Sequence, residues 1–329
     1  MTFRALVSDK SAGGMIVSKV REVDEGELPE GNVLVGIDWA GFNYKDGLVL
    51  LGHGGLVRSY PHIGGVDFAG RVIESSDARY HPGQAVALTG WRVGEWHWGG
   101  FATRARVSAD WLVPLPKGLS TREAMVLGTA GLTAMLAVNR LKSEGIKPGA
   151  GDILVTGAGG GVGSMATLLL GRLGYKVHAM SGRPELVDDL IALGAREVVG
   201  RDVLAPSSKK LLGTKWIGAV DNVGGAPLGE LLKQMHQGGC VASVGLAAGD
   251  EWSASVIPFV LRGVTLAGID SVMQPYESRI AAWERLASIF SFTAYERMVT
   301  EVGLAELPAI AEQILAGQIR GRVIVQPKH

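Results

Sequence analysis

The chain has 329 residues, of which 47% are hydrophobic and 19% are charged, and its formal net charge at pH 7 is +0. This length predicts two lobes rather than one domain, and the composition is globular rather than disordered. A balanced charge gives no electrostatic footprint for nucleic acid or for an anionic membrane surface. The single cysteine, Cys240, excludes an internal disulfide and a thiolate-rich metal site.

The N-terminal residues MTFRALVSDK lack the basic-then-apolar layout of a signal peptide. No apolar stretch is expected to reach the roughly 20 residues of a membrane-spanning helix. These features predict a cytoplasmic protein without a membrane partner.

The first part of the chain, residues 1–123, alternates short strand-like runs with Gly, Pro and Asp. The clearest of these runs cover 33–39, 69–73 and 85–88. Short runs with this punctuation predict a barrel-like, mostly antiparallel lobe.

Residues 124–270 differ, because apolar strands here alternate with helices. The strand candidates cover 153–156, 177–180, 198–199, 219–222, 240–244 and 265–269, and the helix candidates cover 164–173, 185–193, 227–235 and 255–262. Six strands separated by helices predict a doubly wound parallel sheet, so the fold class is α/β. Helices at 277–290 and 305–316 and a strand at 322–325 follow. We expect residues 271–329 to return to the first lobe, with a cleft between the lobes.

A glycine cluster, AGGGVG at 158–163, lies between the first of these strands and an apolar helix. Glycines at such a turn let the backbone approach a pyrophosphate, and the helix N-terminus supplies free N–H groups. An ordinary turn is the alternative, but the strand before, the helix after and the second strand about 20 residues on favour dinucleotide binding. The predicted phosphate contacts are Gly159, Gly160, Gly161 and Val162.

The second strand ends in Ser181, Gly182 and Arg183, where an NAD-binding protein carries an acid for the ribose hydroxyls. An arginine at this place accepts a 2′-phosphate instead. Arg201 follows the third strand candidate, where its loop could reach the same ribose. Solvated surface arginines are the alternative, but the missing acid independently favours NADPH.

Seven stretches together resemble the zinc-free members of the medium-chain dehydrogenase/reductase superfamily over essentially the whole chain. They are GFNYKD (41–46), GVDFAG (65–70), GWRVGEWHWGG (90–100), GTAGLTA (128–134), SGR (181–183), RD (201–202) and DNVGG (221–225). They are most similar to the quinone-oxidoreductase-like branch, which includes NADPH-dependent acryloyl-CoA reductases. The resemblance implies a GroES-like catalytic domain (1–123), a Rossmann domain (124–270), a returning C-terminal segment (271–329) and a homodimer.

The chain departs from the zinc-dependent relatives at the residues that would bind the metal. Those relatives carry Cys in the first motif and GHE in the second, whereas this chain has 43–46 NYKD and 65–67 GVD. The seven histidines show no ligand spacing such as HxxxH, so no metal site is predicted. Without a Lewis acid, hydride addition to an activated C=C bond is easier than aldehyde reduction, because hydrogen-bond donors can hold the enolate.

The resemblance implies that Tyr44 lies by the nicotinamide with Asn43 beside it, and either side chain could donate to a thioester oxygen or hold the cofactor. The alternative is structural, with Asn43 capping a turn and Tyr44 filling the lobe interface. His97 could reprotonate an enolate or serve as a structural donor, so the proton donor stays open between Tyr44, His97 and water. Further implied cofactor contacts are Leu246, Val260, Ser271 and Gly317.

These observations favour an NADPH-dependent reductase that converts acryloyl-CoA to propanoyl-CoA. A quinone or alkenal reductase on the same scaffold is the nearest alternative, and a non-catalytic NADPH-binding protein is an alternative of another class. Lys45, Arg58 and Arg92 lie in the substrate lobe and could meet the phosphates of CoA, but the sequence does not place them.

Overall fold

The computed structural model describes residues 1–329, which divide into two units. Unit 1 comprises Met1–Thr129, Ser271–Ala287 and Val299–His329, and unit 2 comprises Ala130–Asp270 and Ser288–Met298.

Strands and helices follow one another in this order. The strands are β1 (Thr2–Lys10), β2 (Ile16–Asp24), β3 (Val33–Phe42), β4 (His62–Ile63), β5 (Asp67–Ser75), β6 (Ala85–Thr89), β7 (Arg104–Val107), β8 (Leu112–Pro114), β9 (Asp152–Val155), β10 (Lys176–Met180), β11 (Glu197–Val199), β12 (Trp216–Asp221), β13 (Met235–Ser243), β14 (Thr265–Gly268), β15 (Val299–Val302) and β16 (Arg322–Val325). The helices are α1 (Tyr44–Leu50), α2 (Thr121–Ser143), α3 (Gly161–Arg172), α4 (Val187–Ala192), α5 (Gly225–Leu232), α6 (Ile257–Arg262), α7 (Tyr276–Ile289), α8 (Phe292–Tyr295) and α9 (Leu307–Leu315).

Unit 1 is built on two mostly antiparallel sheets. The larger has the order β15-β16-β3-β5-β6-β8, with β7 also paired to β3, and the smaller has the order β2-β1-β4. Only β15 and β16 run parallel in this unit. The larger sheet pairs β16, from the end of the chain, with β3, so the C-terminal strand returns to the first lobe as the sequence predicts.

Unit 2 contains one parallel sheet with the order β11-β10-β9-β12-β13-β14. This is the 3-2-1-4-5-6 arrangement of a doubly wound dinucleotide-binding fold. The central strands β9, β10 and β12 are almost wholly buried, which explains their continuous apolar runs. The predicted α/β fold class is confirmed.

Three sequence-based expectations differ from the structure. The helix predicted at 227–235 ends at Leu232, because β13 already begins at Met235, opposite Trp216 of β12. The segment Ser288–Met298 belongs to unit 2 although it lies within 271–329. Within unit 2 this segment is held by a hydrogen bond of 2.6 Å between the hydroxyls of Ser164 and Tyr295, which no local pattern encodes.

The third difference concerns α2. Contrary to the expectation that no stretch would qualify, this helix is long and apolar enough to cross a membrane by length and composition. However, 78% of its most apolar window is buried inside the protein, as in the core helices of soluble proteins, which pass the same test. The helical dihedrals break at Gly128, where φ is +49°.

Candidate active site

The phosphate turn connects β9 to α3 in unit 2. Gly160 is the N-cap residue of α3, and the first N–H groups of such a helix have no partner within it. A Cβ added to Gly163 would lie 2.8 Å from the Cα of Ala158, so only glycine lets the helix pack this closely on the turn. The turn therefore has the backbone donors and the open space that a pyrophosphate needs.

Two guanidinium groups lie close to this turn and to the residues that follow β10. A Cβ built on Gly159 would be 2.5 Å from Nη2 of Arg183, and one built on Gly182 would be 2.5 Å from Nε of Arg201. The backbone N–H of Arg183 donates to Oγ of Ser181 over 3.1 Å. Burial lowers the pKa of Arg183, and the charge of Arg201 adds to this effect, while Glu185 opposes it. The structure thus concentrates positive charge beside the predicted ribose position.

The other predicted cofactor contacts are divided between the two units. Leu246 follows β13 in unit 2 and is 57% exposed, and Val260 lies on α6 in the same unit and is 75% exposed. Ser271 and Gly317 belong to unit 1. The carbonyl of Ser271 accepts from Nη2 of Arg279 over 3.2 Å. The roles of all four residues stay predictions.

Tyr44 and Asn43 lie where β3 passes into α1 in unit 1. Asn43 is the N-cap residue, and Tyr44 is the first residue of the helix. The ring of Tyr44 is 42% exposed, and its hydroxyl makes no hydrogen bond within the protein. It is therefore free to donate to a ligand.

The Asn43 side chain, in contrast, has all its hydrogen-bonding groups engaged. Its Nδ2 donates to Oδ2 of Asp46 over 3.3 Å and to Oδ2 of Asp67 over 3.0 Å, and its Oδ1 accepts from Nη1 of Arg322 over 2.8 Å. Because an amide has two N–H donors, none remains for a thioester oxygen. These bonds favour a positioning role for Asn43, namely the one that fixes the start of α1.

Asp67 and Arg322 form the centre of this buried network. Their side chains are 0% and 3% exposed, and Nη2 of Arg322 lies 3.6 Å from Oδ2 of Asp67. Asp67 also accepts from the backbone N–H of Thr129 over 2.7 Å and from its hydroxyl. A Cβ on Gly128 would collide with the Asp67 carboxylate, so the break in α2 is where the network requires glycine. Asp67 thereby holds a neighbouring segment, as the sequence suggested.

Asp46 is the second buried carboxyl of the network. It accepts from the backbone N–H groups of Asn43 and Val66, over 2.8 and 2.9 Å. Burial raises its pKa to about 7, and the neighbouring charge of Asp67 contributes to the rise. The hydrogen bonds from the two backbone donors oppose this change.

His97 occupies a structural position. Its Nε2 lies 2.8 Å from the carbonyl oxygen of Arg106, which can only accept, so this nitrogen carries a proton. Burial lowers the pKa of His97, which keeps the ring neutral near pH 7 with its other nitrogen unprotonated. A neutral ring in this tautomer has no second proton for an enolate, and the geometry favours Tyr44 over His97 as the donor.

The remaining residues singled out by the sequence are readily placed. Burial raises the pKa of the Cys240 thiol to about 11, so this side chain is an unreactive core residue. No group of three or more His, Cys, Asp or Glu side chains could hold a metal ion.

Sequence reasoning missed Arg322 and Thr129, which complete the network around Asn43. Arg322 opens the otherwise apolar strand RVIV, and a fully buried arginine requires several acceptors. A single arginine at the start of an apolar strand was the signal that could have identified it.

Family comparisons agree with this architecture. Residues 29–117 match the alcohol dehydrogenase GroES-like domain, and residues 161–288 match the zinc-binding dehydrogenase family. The chain is 54% identical over 325 residues to the acrylyl-CoA reductase AcuI of Ruegeria pomeroyi, with 98% of each chain covered.

Two solved structures are similar over nearly the whole chain. The YhdH oxidoreductase from Salmonella enterica, in complex with NADP, is 48% identical with a TM-score of 0.96, covering 98% of this chain and 99% of that one. The Bacillus subtilis protein YhfP, with NAD bound, is 44% identical with a TM-score of 0.95, covering 99% and 100%. The chain therefore belongs to the medium-chain dehydrogenase/reductase superfamily.

Proposed function

We propose that this protein is an NADPH-dependent reductase of acryloyl-CoA, which it converts to propanoyl-CoA. The observation that carries the proposal is the 54% identity, over 98% of both chains, with a relative named acrylyl-CoA reductase (acrylyl being another spelling of acryloyl). The site residues are consistent with this reaction. Tyr44 offers a free hydroxyl, and unit 2 offers a phosphate turn flanked by two arginines.

Bound NADPH supplies a hydride, which adds to the β-carbon of the acryloyl group. The electron pair of the C=C bond moves towards the thioester oxygen, where a hydrogen bond from the Tyr44 hydroxyl stabilises the developing enolate. A proton then returns to the α-carbon, either from Tyr44 or from water. The balanced reaction consumes acryloyl-CoA, NADPH and one proton and produces propanoyl-CoA and NADP⁺.

The cofactor would be held by the residues that the structure gathers around the turn after β9. The backbone of Gly159, Gly160, Gly161 and Val162 would contact the pyrophosphate. Arg183 and Arg201 would bind the 2′-phosphate, together with the Ser181 hydroxyl and the Gly182 N–H. The fit rests on the open space over Gly159 and Gly163 and on the guanidinium groups beside the turn.

The substrate assignment is tested by following NADPH oxidation with acryloyl-CoA, crotonyl-CoA, acrolein and benzoquinone. We expect the highest kcat/KM with acryloyl-CoA. A faster reaction with benzoquinone or acrolein would favour the quinone or alkenal reductase instead. Turnover of none of the four would favour a non-catalytic NADPH-binding protein.

Arg183→Ala should raise the KM for NADPH about tenfold or more, because losing a charge-assisted hydrogen bond costs about 1.5–3 kcal/mol. The kinetic constants with NADH should barely change, since NADH lacks the 2′-phosphate. Steady-state assays with both cofactors measure the effect. A wild-type preference for NADH, the cofactor type bound in the Bacillus relative, would contradict this interpretation of residues 181–183.

Exhaustive chelation should leave turnover unchanged, and elemental analysis should find no stoichiometric zinc. The two buried carboxyls that come closest to a ligand pair, Asp46 and Asp67, already accept hydrogen bonds from Asn43 and other protein donors. Loss of activity that added zinc restores would overturn the metal-free mechanism.

We also propose a cytoplasmic homodimer. Both statements rest on the family resemblance, with symmetric pairs being the commonest assembly. Light scattering of the purified protein tests the second of them, and a mass of one chain would contradict it.

A further inference from the structure

Three basic side chains gather around one exposed indole in unit 1. The guanidinium carbon of Arg58 lies 3.2 Å from the ring centroid of Trp96, and that of Arg92 lies 4.4 Å from the same centroid. Lys45 joins them through Glu95, whose carboxylate accepts from Nζ of Lys45 over 3.0 Å. We call Lys45, Arg58, Arg92 and Trp96 the cationic cluster.

The cationic cluster carries more positive charge than its surroundings neutralise. Glu95, whose side chain is 2% exposed, pairs with Lys45 over 3.0 Å and with Arg92 over 3.3 Å. Arg58 makes neither a hydrogen bond nor an ion pair and contacts only the indole. Three cations therefore face one carboxylate. Because Lys45 and Arg92 are 34% and 42% exposed and Trp96 is 47% exposed, an anion in solution can reach them.

The backbone that carries this cluster is strained. Trp91 and Arg92 have φ values of +56° and +59°, a region that costs a side-chain-bearing residue about 1–2 kcal/mol. The turn is nevertheless held firmly within unit 1, because Trp91 N–H donates to the Val272 carbonyl over 3.0 Å and the Arg279 guanidinium lies 4.8 Å from the Trp91 ring centroid. Strain that neighbouring contacts maintain in this way fixes the direction of Arg92.

We propose that the cationic cluster binds the phosphate groups of coenzyme A and so anchors the nucleotide end of the substrate. Arginine forks bind phosphate oxygens in pairs, and lysine adds a point charge. Lys45 directly follows Tyr44 on α1, which connects the cluster to the side chain that acts on the thioester. The proposal rests on the acyl-CoA reductase function. It assigns these cations to the substrate because the predicted NADPH phosphate contacts, from Gly159 to Arg201, belong to unit 2.

The first test measures binding rather than turnover. Isothermal titration of the NADP⁺-saturated protein with CoA should give a Kd that Arg58→Gln with Arg92→Gln raises about tenfold or more, a factor that corresponds to 1.4 kcal/mol. Pantetheine, which lacks every phosphate, should bind the double variant and the parent equally. Arg21→Gln is the matched control, since Arg21 is an exposed arginine of unit 1 paired with Asp9. An unchanged Kd for CoA in the double variant, or no CoA binding to the parent, would overturn the proposal.

The second test separates this proposal from the reaction itself. With acryloyl-CoA the double variant should show a raised KM and a retained kcat, and with S-acryloyl-pantetheine its kcat/KM should match that of the parent. An equal loss with both substrates would show that the cluster acts on the reacting group, and a raised KM for NADPH would assign it to the cofactor. Either result would overturn the proposal. If the parent protein reduces no thioester at all, the proposed function fails, while the CoA titration still decides the binding site.

Discussion

Tyr44→Phe should lower kcat/KM for acryloyl-CoA by about 10- to 1000-fold, the range for removing one donor to a developing negative charge. The expectation follows from the exposed ring and from the hydroxyl that no protein group engages. Since the hydroxyl makes no internal hydrogen bond, its loss should leave the thermal unfolding temperature unchanged. Steady-state kinetics with NADPH held at saturation measures the effect.

Two variants serve as comparisons for Tyr44→Phe. Tyr80→Phe removes a buried tyrosine hydroxyl that donates to the Leu112 carbonyl over 2.7 Å, and it should affect stability but not turnover. His97→Gln should cost less activity than Tyr44→Phe, because the His97 ring is committed to the Arg106 carbonyl. The reverse ranking would make His97 the acid and Tyr44 a packing residue.

Arg322→Met should reduce the free energy of unfolding by about 3–5 kcal/mol, the cost of removing one partner from a buried ion pair. The substitution keeps much of the side-chain volume but leaves the fully buried Asp67 carboxylate without its cation. It also removes the donors to Asn43 Oδ1 and to the Phe42 carbonyl, over 2.8 and 3.1 Å. Urea titration followed by intrinsic fluorescence measures the change in midpoint.

Lys328→Met is the matched control, because Lys328 belongs to an ion pair with Asp38 in which its side chain is 60% exposed. Exposed pairs of this kind contribute about 0–1 kcal/mol, so this variant should unfold close to the parent. Equal stability of Arg322→Met and the parent would show that the network contributes little to the folding of unit 1.

The fold could be predicted from the sequence wherever a local pattern carries the information. The strand at 322–325 is predicted to the residue because four consecutive buried positions form it, and the six strands of unit 2 are recognised because parallel strands buried on both faces form continuous apolar runs. The phosphate turn is similarly local, since its glycines, strand and helix are adjacent along the chain.

The candidate site is less accessible to such reasoning because its contacts join distant parts of the chain. Arg322 and Asn43, which share a hydrogen bond, are 279 positions apart. The left-handed backbone at Trp91 and Arg92 is equally hidden, because neither residue type favours it. A motif could suggest that Asn43 matters, but only the folded chain shows that its amide has no donor left.

The raised pKa of Asp46 has a consequence for folding itself. In the unfolded chain this carboxyl loses its proton near the usual value of 3.8, whereas in the folded protein it keeps the proton up to about pH 7. Between these values folding takes up one proton at Asp46, so the contribution of this residue to stability falls by about 1.4 kcal/mol for each unit of rising pH. It is complete below pH 3.8 and lost above about pH 7. Unfolding at pH 5.5 should therefore acidify a weakly buffered solution, and Asp46→Asn should release one proton fewer.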